Sequence, residues 1–475
     1  MPGFSIRPPY GVAAIVFLFT WTLTTHGKYS ASGDEPHYLM VAESLRTDGD
    51  LNVDNNYRQN DGRLFGHDRL PMELHAIRDR MGEVHSVHAI GLPVLVLPVY
   101  VLAQRVAGAT SEALLQRVRM DRGLFAYSIV TTFLIALASI GLALLAAGLG
   151  AITTPRNGVF IAVAIGVSPP VVSHAFLIFP EVVALFVTCC AVWFATKRPR
   201  ETDRRVVLFL AFALGALPWF HQKYFVYSIG LLLVIAWRRR DVLSSLRVGR
   251  KTLAVVLFLA PQVALLAWLQ YEWGTVGGAL TTGVLTSETI PLTIDTLKTG
   301  AVGLWFDRQA GLLAFAPLYW IVPACWVLTW RRTWEYGAPM VLLYLPAAAF
   351  VIGWWAGFSP AARYLAPSIP LLTVPLAHAL QYASVRRAAV VVLLLQIPVD
   401  AVVWQHPRWL WPAVDGNRAL QALGLPGRVY EWVLVPVQRE GVTTHALVGL
   451  LAVVVVTTVI VASARRELRP DHLSR

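Results

Sequence analysis

The chain has 475 residues, 56% hydrophobic and only 14% charged, against about 25% charged in an ordinary soluble domain, which excludes a soluble globular protein of usual composition. Its net charge of +12 does not point to nucleic acid, because the basic residues stand in short clusters between apolar runs, as in loops on the cytoplasmic side of a membrane protein. The three cysteines, Cys189, Cys190 and Cys325, lie inside apolar runs without metal-type spacing and read as small buried apolar residues.

A bilayer core takes about 17–25 apolar residues per helix. Runs of that kind are expected as spans at 10–26, 123–149, 158–179, 182–197, 206–220, 222–237, 252–271, 312–330, 337–354, 364–383, 388–404 and 445–463. The first is preceded only by Arg7 as a charge, and its length suits an uncleaved anchor better than a cleaved leader. Lys197-Arg198-Pro199-Arg200 with Arg204-Arg205, then Trp237-Arg238-Arg239-Arg240 through Arg250-Lys251, Arg331-Arg332, Arg386-Arg387 and Arg465-Arg466 alternate as cytoplasmic loops should. The apolar segment 88–107 breaks this parity if it crosses, and it contains Pro93 and Pro98. It is therefore expected to lie along the outer surface. The predicted architecture is an all-α polytopic transmembrane helix bundle of about twelve spans with outer-face juxtamembrane helices. It forms one domain over 1–475, with both ends cytoplasmic, a large outer loop 27–122 and further outer segments 272–311 and 405–444. With no inner loop of comparable size, function is expected on the outer face.

Candidate chemistry begins at Gly33-Asp34-Glu35-Pro36-His37-Tyr38-Leu39, just beyond the first span. Pro36 suits the first turn of a helix, so Asp34 or Glu35 either caps that helix or carries chemistry. The pair opens the acidic stretch 27–88, which holds 11 acidic and 7 basic side chains and so favours neither reading over the other. His85 and His88 stand at i, i+3, but a pair without a third ligand reads as polar surface rather than a metal site. Glu181, after Pro180, is the lone charge between two apolar runs: either a solvated turn residue or a functional carboxylate near membrane depth. Cations able to meet a phosphate at outer span ends are His221 and Lys223 in a tight turn, Arg308, and Arg363 beside Tyr364; for Lys223 and Arg363 the alternative is snorkelling to headgroups. Trp305, Trp354, Trp355, Trp404, Trp409 and Trp411 crowd the outer segments and read as an aromatic belt, with sugar stacking as the alternative for one or two.

The order of features resembles the C-type membrane glycosyltransferases, the group that includes protein O-mannosyltransferases and aminoarabinose transferases acting on lipid A. One span is followed by Asp34-Glu35 in a large outer loop, Tyr38, Arg46 with Gly49-Asp50, the surface segment 88–107 and a second span. Ser168-Pro169-Pro170, Pro180-Glu181 and Ala362-Arg363-Tyr364-Leu365-Ala366-Pro367 come after. The likeness covers most of residues 10–385, and Glu181 stands where the family usually has Asp. The resemblance implies a sugar donor carried on a polyprenyl phosphate, with no nucleotide, and a glycan, lipid or protein acceptor whose hydroxyl attacks the anomeric carbon with inversion. It implies Asp34 as general base with Glu35 in reserve. Glu181, His221, Lys223, Arg308, Arg363 and Tyr364 become substrate-binding candidates, Glu181 either orienting a substrate or binding a divalent cation. The setting would be a bacterial inner membrane with the active site on the periplasmic side. A polytopic lipid or sugar transporter is the second reading; it asks for charges along a midplane path and paired broken helices, whereas the candidate charges cluster near one face.

Overall fold

The computed structural model describes residues 8–25, 33–73, 75–197, 203–278, 293–349, 354–357, 359–411, 417–424, 437 and 444–468, so much of the expected segment 405–444 lies outside the described residues. The chain is helical apart from one short antiparallel hairpin among the described residues, β1 (Ala76–Arg78) and β2 (Val84–Ser86). Its first half runs α1 (Pro8–Thr25), α2 (Glu35–Thr47), α3 (Asp54–Gln59), the hairpin, α4 (Gly91–Ala109), α5 (Glu112–Val118), α6 (Arg122–Ile152) and α7 (Pro155–Gly166). Then come α8 (Val171–Ala175), α9 (Pro180–Thr196), α10 (Asp203–Ala216), α11 (Tyr224–Arg238), α12 (Arg240–Ser244) and α13 (Val248–Trp273). The long helices of the second half are Ile294–Phe306, Val322–Thr333, Gly337–Ala349, Ile369–Ala379, Ala383–Gln405 and Thr444–Glu467.

Five of the described helices are long and apolar enough to cross a membrane: Gly91–Ala109, Arg122–Ile152, Val248–Trp273, Ala383–Gln405 and Leu447–Glu467. Pro9–Leu23, Pro180–Thr196 and Tyr224–Arg238 are apolar but shorter. The central helix is α6, packed against α1, α4, α7 and α9. Small residues let it approach α9 closely: a Cβ on Gly148 would lie 2.5 Å from Thr196 Oγ1 and 2.8 Å from Trp193 Cα.

Two expected spans are interrupted. The run 158–179 stops at Gly166 and resumes as the short α8, because Pro169-Pro170 supplies no amide donor and disfavours helical backbone before it. The run 312–330 breaks at Ala316-Pro317 into Leu312–Phe315, a 3-10 turn Pro317–Ile321 and Val322–Thr333. An interrupted helix frees backbone groups that must be satisfied from elsewhere. Gln396 does this, its Nε2 donating to Phe315 O at 3.1 Å and, on its other side, to Asp400 at 2.8 Å.

The basic clusters gather on one face. Arg239 Nη1 donates to Phe194 O near the end of α9 at 2.7 Å, Arg238 pairs with Glu335 and donates to Arg332 O, and Glu467 accepts from the amides of Ala383 and Ser384 at 2.7 Å. The ends of α6 and α9 that meet at Gly148 and Thr196 lie there too. The opposite face carries Asp34. Helix α4 is long enough to cross between the faces, about 28 Å by its rise per residue, yet both its ends abut the Asp34 face. A Cβ on Gly91 would lie 2.5 Å from Trp219 O, at the far end of α10, and Arg122 at the start of α6 donates to Ala107 O at 2.7 Å and Gly108 O at 3.0 Å. So α4 runs along the Asp34 face.

If basic loops are cytoplasmic, Arg117→Cys on exposed α5 should react with a membrane-impermeant maleimide on intact cells, and Arg156→Cys, exposed in the first turn of α7, only after permeabilisation. The native cysteines are buried and need not be removed. The opposite labelling pattern would reverse the orientation.

Candidate functional site

The sharp entry into α2 divides the roles of the adjacent carboxylates. Asp34 occupies the N-cap position but its side chain makes no capping hydrogen bond. It instead accepts from Arg363 Nη1 at 2.8 Å. Glu35, one residue on, turns into the protein. It is fully buried, and its Oε1 accepts from Tyr127 Oη at 2.8 Å and from Ile178 N at 2.7 Å. Thus Glu35 ties α2 to α6 and to the segment just before α9, and it is not among the residues that line the cavity beside Asp34. We expect Glu35→Ala to lower stability by about 2–6 kcal/mol, since two buried donors lose their acceptor at about 1–3 kcal/mol each. Glu35→Gln keeps the Oε1 acceptor and should cost less. Thermal unfolding in lipid checks this, and equal losses for both variants would reject the role.

Glu181 begins α9 and is fully buried, which excludes a solvated turn. Its Oε1 accepts from Lys223 Nζ at 2.6 Å and from Arg363 Nε at 3.1 Å. Arg363 therefore bridges Asp34 and Glu181, and its guanidinium lies 4.1 Å from the Phe179 ring centroid. Lys223 sits 4.3 Å from the centroid of Tyr364. His221 helps shape the tight turn, its Nδ1 accepting from Lys223 N at 3.2 Å. Neither cation snorkels: the Lys223 and Arg363 side chains are 8% and 7% exposed.

A cavity of about 430 Å³ opens beside this cluster. Asp34, Tyr38, His221, Lys223, Arg363 and Tyr364 form its polar end. Leu265, Trp268, Leu269 and Trp273 of α13 form an apolar wall, and Ser86–Ile90 line the cavity beside it. The tryptophans at the cavity are thus Trp219, Trp268 and Trp273, and none of the six singled out in the sequence lines it. Arg308 does not line it either. Its carbonyl accepts from Asn417 Nδ2 at 2.6 Å, while two residues on Ala310 O accepts from Ala362 N at 2.8 Å, which sets the loop behind Arg363.

Two histidines the sequence did not pair complete the Asp34 surroundings. Strand pairing of Ala76 with Ser86 brings His75 Nδ1 to 3.1 Å from His88 Nε2, and His37 stacks on His75 at 3.5 Å between centroids. Ligand atoms of Asp34, His75 and His88 all fall within 4.8 Å of one another, so these three could hold a divalent cation. Burial lowers the pKa of both imidazoles, His88 to about 4, which keeps them neutral as ligation requires. Burial by itself raises the Asp34 pKa, but the Arg363 guanidinium, with His88 adding to it, overrides this and holds the carboxyl well below the usual range. The expected i, i+3 pair does not share a helix face: His85 lies on β2, and His88 follows it in the turn before α4. Only knowledge of the hairpin register would have joined His75 to His88.

No protein-family model and no curated protein matches the chain. Among solved structures, apo ArnT from Cupriavidus metallidurans aligns over 96% of this chain and 77% of its own, at 13% identity and a TM-score of 0.51. The same protein bound to undecaprenyl phosphate aligns over 96% and 77%, at 11% identity and a TM-score of 0.44. The Archaeoglobus fulgidus oligosaccharyltransferase in complex with zinc and sulfate aligns over 82% of this chain and 52% of its own, at 13% identity and a TM-score of 0.41. At these identities the likeness is one of fold: the chain has the helical C-type membrane glycosyltransferase fold that the order of its motifs resembles.

Proposed function

We propose that the chain is a membrane glycosyltransferase. It moves a hexose or pentose from a polyprenyl-phosphate donor to a hydroxyl of a glycan, lipid or protein acceptor, at the outer face of a bacterial inner membrane. The observation that carries this reading is the convergence of Asp34, Glu181, Lys223 and Arg363, from four separate segments, beside one cavity on the face opposite the basic loops. The apolar wall of α13 suits a prenyl chain, and the polar end suits its phosphate and sugar. ArnT, which shares this fold, has been solved with undecaprenyl phosphate bound.

The chemistry is a single displacement. The acceptor oxygen forms a bond to the anomeric carbon as the bond from that carbon to the phosphate oxygen breaks. Polyprenyl phosphate leaves with the electron pair, and the hydroxyl proton passes to Asp34 as general base. The anomeric centre inverts. The leaving phosphate needs positive charge rather than an acid, and Arg363 and Lys223 supply it. Both cations rest on Glu181, so the donor phosphate competes with Glu181 and Asp34 for them. Drawing Arg363 toward the phosphate weakens its hold on Asp34 and raises the basicity of that carboxylate when substrate is present. A divalent cation on Asp34, His75 and His88 would add electrostatic stabilisation of the phosphate.

The test is transfer of labelled sugar from synthetic polyprenyl-phosphate donors by the purified protein in liposomes, with donors and acceptors chosen from glycan mass spectrometry of a deletion strain. Movement of intact donor across the bilayer without transfer to any acceptor would replace this reading with the transporter.

A further inference from the structure

A second polar cluster lies behind the cavity wall, where the β1–β2 hairpin meets the last turn of α13. Asp79 follows β1, His85 is the middle residue of β2, and Glu272 is the penultimate residue of α13. All three are buried. Asp79 Oδ1 is used by the hairpin turn, accepting from the amides of Met81 and Glu83 at 2.8 Å. Its Oδ2 has no hydrogen-bond partner, His85 Nδ1 and Glu272 Oε1 meet only each other, and all three atoms lie within 4.8 Å of one another. His85 Nδ1 stands 3.9 Å from Asp79 Oδ2 and directly against Glu272 Oε1. The far side of the ring is occupied as well: His85 Nε2 lies 3.3 Å from the half-exposed Glu83 carboxylate. A proton on Nε2, donated to Glu83, leaves a lone pair on Nδ1. Three electron-pair donors then converge on one buried point. Among the described residues, the only basic side chain within ion-pair distance of Asp79 or Glu272 is His85 itself.

A cation at that point resolves the repulsion. A carboxylate on the outer nitrogen of an imidazole, fixing its tautomer and raising its basicity, is the usual second layer around a metal-bound histidine. One nitrogen and two carboxylate oxygens suit a borderline divalent ion, zinc among them, with a remaining position for water. We propose that Asp79, His85 and Glu272 bind a zinc-class divalent ion that fastens the β1–β2 hairpin to the end of α13. The fastened parts continue into two segments that line the cavity, Ser86–Ile90 and Leu265–Trp273, and Val87 packs against Leu265, Leu269 and Trp273. The ion therefore holds these two lining segments together and takes no part in the chemistry at Asp34.

The experiment uses the full-length protein in lipid nanodiscs carrying His75→Ala and His88→Ala, so that metal at Asp34 does not interfere. After chelation, zinc is titrated back, bound metal is measured by mass spectrometry after gel filtration, and thermal unfolding is followed in parallel. We expect about one tightly held zinc per chain and a rise in the unfolding midpoint on adding it. Glu83→Gln, on a half-exposed side chain, should weaken zinc affinity about 10–100-fold, and Glu272→Gln should abolish the zinc-dependent rise. If Glu272→Gln does not fold, Glu83→Gln decides alone. Zinc at background level, with an unfolding midpoint indifferent to the chelator, would overturn the site.

Discussion

Asp34→Asn is expected to lower turnover about 10²–10⁴-fold, the range for losing a general base, while the protein still folds and binds donor. Asn keeps the shape and can still accept from Arg363 Nη1, which Asp34 now does at 2.8 Å, but it cannot take the acceptor's proton. A capping role would predict near-neutrality, since Asn and Asp cap about equally, and Asp34 makes no capping bond to lose. The pH profile gives a second reading. Arg363 holds the Asp34 carboxyl well below the usual range against the opposing effect of burial. In kcat/KM, which reports the free enzyme, Asp34 should therefore produce no acid limb down to about pH 5. In kcat, which reports the complex, an acid limb should appear at higher pH as the donor phosphate draws Arg363 away. The stability linkage has the same sign: a depressed carboxylate stabilises the fold above its unfolded pKa of about 3.9, and that contribution is lost as pH falls below it. A rate for Asp34→Asn close to wild type would remove Asp34 from the base role.

Much of this was legible in the sequence because lipid imposes a simple rule. The helix expected at 123–149 is found as Arg122–Ile152, and that expected at 252–271 as Val248–Trp273. The clusters expected on one side meet there through Arg238, Arg239 and Arg332. Asp34, Glu181, Lys223 and Arg363 were legible as charges out of place beside apolar runs, and the fold brings them together. What was hidden depends on tertiary geometry. Consecutive residues on a helix point about 100° apart, so which of Asp34 and Glu35 faces the cavity is decided by how α2 packs on Tyr127 and Ile178. Hydropathy alone cannot see the break at Ala316-Pro317, which Gln396 makes tolerable from 81 residues away. The hairpin register assigned His85 and His88 to different clusters, and supplied His75, which no spacing had suggested.

The largest effect on donor binding is expected at Arg363. Its side chain is 7% exposed and its two nitrogens serve two carboxylates, Asp34 at 2.8 Å and Glu181 at 3.1 Å. Removing it strips the phosphate of a fork-shaped partner and leaves two acids facing one another with only Lys223 between them and the donor. A hydrogen bond to a charged group contributes about 1.5–3 kcal/mol, so two lost to phosphate correspond to roughly 10²–10⁴-fold in affinity. Arg363→Lys restores a point charge but not the fork, and should fall between wild type and Arg363→Ala. Lys223→Ala should weaken binding less, because Arg363 remains. The alanine change also exposes a structural cost, since breaking a buried pair typically costs about 3–5 kcal/mol. A double variant separates the two effects. Arg363→Ala with Asp34→Asn removes the charge left without its cation, since Glu181 keeps Lys223 at 2.6 Å, and should recover stability without recovering affinity, a coupling that a double-mutant cycle reads directly. The measurements are thermal unfolding and equilibrium binding of a polyprenyl phosphate in nanodiscs. If both alanine variants bind the lipid phosphate as wild type does, the phosphate site lies elsewhere. Arg308 is then next to test, since its Nε is buried without a partner among the described residues, in the loop that packs behind Arg363.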